Sequence, residues 1–237
     1  MERALRKKRT IVNSLYSDMC RTYIFRDFEA ISEEELRKWY ELLPESRFHK
    51  AMQYKFFRDR RTSVLAFLLL RIAFSETTGI VDIPELRTNA YGKPYFLPDT
   101  DIFSLSHSSG AVMCSYGSRC GCDIQENEPA IKTAAETIMT PQEISAASDD
   151  VTEFMRIWTF KEAYGKYLGK GLNYSSEEVS FAGFVGRNGL NRMGDLYMYS
   201  CADNEIAYCV ISDRKPEIII LDRNDFCKRC SRLKGVI

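Results

Sequence analysis

Two stretches carry the residues best suited to chemistry. In the first, Phe103-Ser-Leu-Ser-His-Ser108 is followed by the apolar run Ala111 to Tyr116 and then by Gly121-Cys-Asp-Ile-Gln125. This reads as a strand, a turn bearing hydroxyls and an imidazole, a second strand, and a third apolar strand that holds an acid. Burying Asp123 is costly unless it is paired or metal-bound. The hydroxyl-rich turn around Ser106 and His107 is a good place to donate hydrogen bonds to a pyrophosphate. The second stretch is Trp158-Thr-Phe-Lys-Glu-Ala163 with Lys166 and Gly171-Leu172. Phe154, Ile157, Trp158, Lys161, Ala163 and Leu168 recur at three- and four-residue steps, and Gly169 and Gly171 are stop signals, so the spacing predicts a helix. Trp158, Glu162 and Lys166 share one edge of it. Glu162 and Lys166, four apart, attract each other, although an isolated exposed pair of this kind is worth little.

The elements that must position these residues follow in chain order. Arg21 to Phe25 alternates like an opening strand, and Ser32-Glu-Glu-Glu35 is a capping box that opens a helix to about Leu43. From Arg47 to Phe74 the pattern is helical with a break near Asp59. It carries Arg47, Lys50, Lys55, Arg58, Arg60 and Arg61 ahead of the apolar face Val64, Leu65, Leu68 and Ile72. Tyr91-Gly-Lys-Pro-Tyr-Phe96 is a turn between aromatic strand residues; it holds Lys93 where an ammonium can meet a phosphate as a point charge. Residues 131–139 and 141–147 read as helices, the second with Thr140 as N-cap and Pro141 at its first position. Strands are expected at 179–181, 195–199, 206–211 and 217–221, and the last 15 residues read as a basic tail.

Together these motifs resemble the signature of the Sfp-type 4′-phosphopantetheinyl transferases. In that family a segment of the type F-N-I-S-H-S is followed by G-I-D-I-E and then by W-S-x-K-E-A/S-x-x-K-x-x-G-x-G-L. Here Phe103 to Ser108, Gly121 to Gln125 and Trp158 to Leu172 stand in that order, preceded by a matching Gly92-Lys-Pro94. The resemblance implies an α+β fold of two pseudo-symmetric halves, each a small antiparallel sheet packed with a long helix. The halves are expected at 21–118 and 119–222, after a basic N-terminal extension over 1–20 and before the tail at 223–237. It implies transfer of the phosphopantetheine arm of coenzyme A to a serine of an acyl- or peptidyl-carrier protein. Coenzyme A contacts fall on His49 or Lys50, Ser63, Lys93, Ser106, His107 and Lys161. Magnesium, which prefers oxygen ligands, falls on Asp123 and Glu162. Glu162 is the expected base and Lys166 the group that meets the departing adenosine bisphosphate. Tyr167-Leu168 and Leu172 to Tyr174 would offer the carrier an apolar patch. Gln125 stands where the bacterial pattern has a second acid, so a three-carboxylate metal site is not available.

Composition fits this reading. The chain has 237 residues, 45% hydrophobic and 28% charged, with Lys+Arg and Asp+Glu equal at 33. That is enough to bury a substantial core, and the zero balance argues against nucleic acid and membrane surfaces as partners. The eight cysteines sit mostly in apolar runs, where a free thiol behaves as a small hydrophobe. Cys227-Lys-Arg-Cys230 lacks the second ligand pair that a structural zinc requires. Reduced thiols, the absence of a signal-like stretch and the lack of an apolar run near the roughly 18 residues of a membrane span lead to a cytoplasmic address, and the two-half architecture that the resemblance implies makes a monomer the expectation. The rival readings are a family member that lost activity through Gln125, and a nucleic-acid binder using the basic Arg47 to Arg61 segment, whose binding would be steeply salt-dependent.

Overall fold

A computed structural model describes residues 18–26, 28–97, 100, 102–128, 130–175 and 178–234; most of the expected N-terminal extension lies outside them. The architecture is α+β. One four-stranded sheet has the order β10-β1-β5-β4, built from β1 (Cys20–Arg26), β4 (Phe103–His107), β5 (Ala111–Tyr116) and β10 (Pro216–Leu221). The other has the order β6-β9-β8-β7, built from β6 (Cys120–Glu126), β7 (Gly189–Met193), β8 (Leu196–Ala202) and β9 (Ile206–Ser212). A separate hairpin pairs β2 (Leu86–Thr88) with β3 (Pro94–Phe96).

Short helices α1 (Glu33–Arg37) and α2 (Glu45–Met52) lead into α3 (Phe57–Thr78), which packs on the first sheet. Every residue of α3 from Arg61 to Phe74 is buried. From Val64 to Leu70 the helix is apolar on all sides and belongs inside a core. The buried Arg61 and Arg71 guanidiniums donate to the Glu29, Leu42 and Val81 carbonyls, and α3 ends where Gly79 takes a left-handed φ of 72°. The break in the helical region falls at residues 53–56, ahead of Phe57, not at Asp59, which lies in the first turn of α3. The Ser32 and Thr140 capping boxes form as the sequence predicts. After α4 (Ile131–Glu136) and α5 (Pro141–Ala147) comes α6 (Val151–Leu168), which packs on β6 and β9. Residues 179–181 are not a strand; the strand there is β7, ten residues on.

The C-terminal part departs from the expected boundaries. β10 leaves the second half and pairs in parallel with β1, from Cys20 opposite Pro216 to Phe25 opposite Leu221. The expected tail is instead helix α7 (Arg223–Arg232), capped by Asp222, whose side chain accepts from the Asp225 amide. Its apolar residues are few but spaced to share a face: Phe226 and Cys230 are fully buried. The Phe226 ring stacks on Phe25 at 4.3 Å and meets Trp39 edge-on at 5.6 Å. The 223–237 segment is therefore part of the first core through residue 232. Phe226→Ala is expected to destabilise the protein by about 3–5 kcal/mol; denaturant unfolding with little loss of stability would show that α7 is dispensable.

Candidate active site

The two sheets meet where β4 lies beside β6. Ser104 and Ser106 are two apart on β4 and so share a face. The Cys122 amide donates to Ser104 Oγ at 3.1 Å and the Ile124 amide to Ser106 Oγ at 3.4 Å. These hydroxyls satisfy backbone groups that a ladder partner would otherwise take, and they bring Asp123 against Ser106. From the other side α6 presses on β6 at Gly121, where an added Cβ would sit 2.0 Å from the Ala163 carbonyl oxygen and 2.3 Å from the Tyr167 nitrogen. No other residue fits there without separating the helix from the strand.

The result is a compact charged cluster. Asp123 is buried. Its Oδ1 accepts from Ser106 Oγ at 2.7 Å and from Lys166 Nζ at 2.6 Å, and Lys166 also donates to Ser106 Oγ at 3.1 Å. Burial by itself would lower the Lys166 ammonium, but Asp123 and Glu162 hold it above its ordinary value. Glu162 is pushed up: burial outweighs the attraction of Lys166, and Asp123 adds repulsion. The remaining oxygen of Asp123, Oδ2, is buried and has no hydrogen-bond partner. A buried carboxylate oxygen left unpaired beside a second carboxylate is an opening for a cation. Among the described residues no group of three or more His, Cys, Asp or Glu side chains gathers as a metal cage. Asp123 and Glu162, with the Gln125 amide oxygen as a neutral third donor, make a hard-oxygen set that fits magnesium. Gln125 uses its Nε2 to donate to the Glu126 carbonyl at 2.9 Å.

A cavity of about 1010 Å³ is lined by His107 and Gln125, the strand neighbours of Ser106 and of Asp123; Asp123, Glu162 and Lys166 do not line it themselves. Its walls come from α2, α3, the β2-β3 hairpin and the end of β4, and they carry Arg47, Lys50, Arg58 and Arg87. Ser63 lines it, as expected, and so does Lys50. His49 does not; it is exposed, with Nε2 3.5 Å from Glu45. Arg47 was not among the sequence candidates. Its guanidinium lies 4.9 Å from the Phe67 ring centroid, donates to the Ser63 carbonyl at 3.4 Å, and leaves Nε buried without a partner. The signal was available in its spacing of three from Lys50, which puts both on one face of α2. His107 faces the cavity; the loss of surrounding water, and then the Lys166 ammonium, hold its imidazole below the ordinary value. The shift favours the neutral ring, which can give or take a hydrogen bond.

Two of the expected coenzyme A contacts are engaged with other protein groups in this structure. Lys161 is fully buried, pairs with the equally buried Glu143 at 3.0 Å and donates to the Val179 carbonyl at 3.1 Å. Glu143 is held in turn by the Thr140 and Phe181 amides, both at 2.7 Å. Adjacent helical residues point about 100° apart, and Lys161 turns into this buried ion pair rather than lining the cavity. Lys93 donates to the Cys120 carbonyl at 3.1 Å and is not part of the cavity wall, although its neighbours Gly92 and Pro94 are.

Residues 119–214, which hold Asp123, Glu162 and Lys166, match the family model described as the 4′-phosphopantetheinyl transferase superfamily. Over that segment the chain is similar to that superfamily. It is 28% identical over 160 residues to the 4′-phosphopantetheinyl transferase Sfp of Bacillus subtilis (strain 168), covering 63% of this chain and 70% of that protein. It is 34% identical over 129 residues to the 4′-phosphopantetheinyl transferase gsp of Aneurinibacillus migulanus, covering 51% and 54%. With psf-1 of Bacillus pumilus the identity is 28% over 159 residues, 62% of this chain and 68% of that protein. As in the superfamily signature, the acid of the Gly-x-Asp strand and the Lys-Glu helix are the parts that converge.

Removing the partner of a buried charge costs about 3–5 kcal/mol, so Lys161→Met should lose that much stability by leaving Glu143 unpaired. Its affinity for coenzyme A, measured by calorimetry where the variant is folded, should stay unchanged. Glu162 gives the opposite sign. Its folded value lies above the unfolded one, so its contribution is favourable in acid and is lost as pH rises through the folded value. Glu162→Gln is therefore expected to melt higher than the parent at pH 7 in metal-free buffer, with the difference vanishing in acid; thermal scans across pH check this.

Proposed function

We propose that this chain is a 4′-phosphopantetheinyl transferase that takes coenzyme A as donor and a serine of an acyl- or peptidyl-carrier protein as acceptor, with a divalent cation such as magnesium held by Asp123 and Glu162. The observation that carries the reading is the unpaired Oδ2 of Asp123, set beside Glu162 and Lys166 where a cavity with a basic wall ends. A cation bound there would offset charge on the pyrophosphate and help orient it.

The chain's own groups account for the remaining steps. Arg47, Lys50 and Ser63 line the wall that would hold the adenosine phosphate end of the donor, and His107 offers a neutral ring to the pyrophosphate. The serine Oγ forms a bond to the phosphorus that carries the pantetheine arm. The bond from that phosphorus to the bridging pyrophosphate oxygen breaks, and 3′,5′-adenosine bisphosphate departs. Glu162, directly or through a water, accepts the serine proton. Lys166, one turn further on, meets the charge of the leaving group. Leu172, exposed just beyond α6, and Tyr174 are suited to receive an apolar carrier surface. All eight cysteines are free thiols, in keeping with a reducing, cytoplasmic setting, and no described helix is long and apolar enough to cross a membrane.

Intact-protein mass of an apo carrier protein incubated with the chain, coenzyme A and Mg²⁺ tests the proposal. A gain of one phosphopantetheine, prevented by EDTA and slowed on the order of 10²–10⁴-fold by Glu162→Gln, is the expected outcome. Coenzyme A binding without transfer to several carriers would point to Gln125 and a member that no longer turns over. Absence of coenzyme A binding would sink the assignment.

A further inference from the structure

The β2-β3 hairpin forms one wall of the cavity. Among the described residues its strands pair with each other, with one further bridge from Phe96 to Thr100, and with nothing in either four-stranded sheet, while Phe96 anchors its base in the first core. Its position therefore depends on side-chain ties. Asn89, in the turn, uses both ends of its amide. Oδ1 accepts from the Tyr91 amide at 2.9 Å and the Lys93 amide at 3.0 Å, which closes the turn. Nδ2 reaches 80 residues along the chain and donates to the Gly169 carbonyl at 2.7 Å. Gly169, with a left-handed φ of 75°, is the C-cap of α6, the helix that carries Glu162 and Lys166. The approach is close: a Cβ on Gly169 would lie 3.3 Å from Asn89 Nδ2.

We propose that Asn89 is a positioning residue for the transfer reaction, tying the cavity wall to the end of the catalytic helix so that a donor seated against the hairpin is held in register with Glu162 and Lys166. The proposal rests on the coenzyme A reading of the cavity. Asn89 touches neither the cavity nor the charged cluster. It joins the two through one strong hydrogen bond at the helix terminus, where an orphan carbonyl needs a donor. Lys93, bonded to the Cys120 carbonyl at the start of β6, is a second strut from the same hairpin. Phosphoryl transfer depends on alignment, and a displacement near 1 Å can cost about 100-fold in rate.

Two variants separate this role from a merely structural one. Asn89→Asp keeps an oxygen that can accept from the turn amides but sets a carboxylate against the Gly169 carbonyl. Asn89→Ser keeps a shorter acceptor that cannot reach Gly169, and adds no charge, so it serves if the Asp variant does not fold. Coenzyme A affinity by calorimetry should stay within about twofold, because Arg47, Lys50 and Ser63 are untouched, while kcat falls about 10- to 100-fold. Amide hydrogen exchange supplies a readout free of turnover. In the parent, coenzyme A should slow exchange in both the hairpin (86–96) and the α6 terminus (165–171); in the variants it should slow the hairpin alone. Protection of both segments in the variants, or an unchanged kcat, would overturn the positioning role alone. No protection of the hairpin in the parent would overturn the cavity reading, and the role with it.

Discussion

The missing side chain at Gly121 fixes how closely β6 and α6 can approach. At the separation seen here, a Cβ would lie well inside the van der Waals radii of the Ala163 oxygen and the Tyr167 nitrogen. Backbone, not a flexible side chain, stands in the way, so nothing could give without moving the helix. The closeness is what lets Asp123, two residues along the strand, reach the ammonium of Lys166 at 2.6 Å. A helix held farther out would leave a buried acid without its cation and a helical base out of reach of the strand. The charged cluster, the packing of α6 on the second sheet and the end of the cavity all depend on this single contact.

On its other flank the same strand is held by chemistry of a different kind. Ser104 and Ser106 accept from β6 amides, so the joint between the sheets is made of hydroxyls where a continuous sheet would have carbonyls. A hydroxyl can both accept and donate, and Ser106 does both, donating onward to Asp123. The joint is thus also part of the electrostatic site. Its acid is shared by a serine and a lysine through one oxygen, and the other oxygen is left available. Burial raises Glu162, and together the two carboxylates stabilise the Lys166 ammonium against its own burial. The arrangement is tense in the absence of a further cation: two acids face one base in a place with little water.

Much of this site was legible in the sequence because its information is local. A strand-borne acid in Gly121 to Gln125, and a Glu and a Lys one helical turn apart, can be read from spacing alone. The burial of Lys161 was legible in helical geometry: it falls on the buried stripe with Phe154 and Ile157, not on the Glu162 edge. Arg47 was overlooked among many basic residues, because only the folded cavity distinguishes a guanidinium laid on Phe67 from its solvated neighbours. The helix at the C-terminal end was hidden by its polarity. Phe226 and Cys230 form so narrow an apolar stripe that the segment read as a tail, although Asp222 was a usable start signal. The pairing of β10 with β1 could not be read at all. It joins residues nearly 200 positions apart, and no local pattern encodes a partner at that distance.

That pairing has a consequence for how the molecule is made. The first sheet is opened by β1, among the earliest residues described, and closed by β10 and α7, which cover Phe25 and Trp39 only after residue 226 has been synthesised. On the ribosome the first half therefore waits with one strand edge and part of an aromatic cluster uncovered while the entire second half emerges. Non-local pairing of this kind is slow and exposes sticky edges. The two halves are consequently not independent folding units in time, even though each has its own long helix. The last of the described strands to leave the ribosome completes the first sheet to begin.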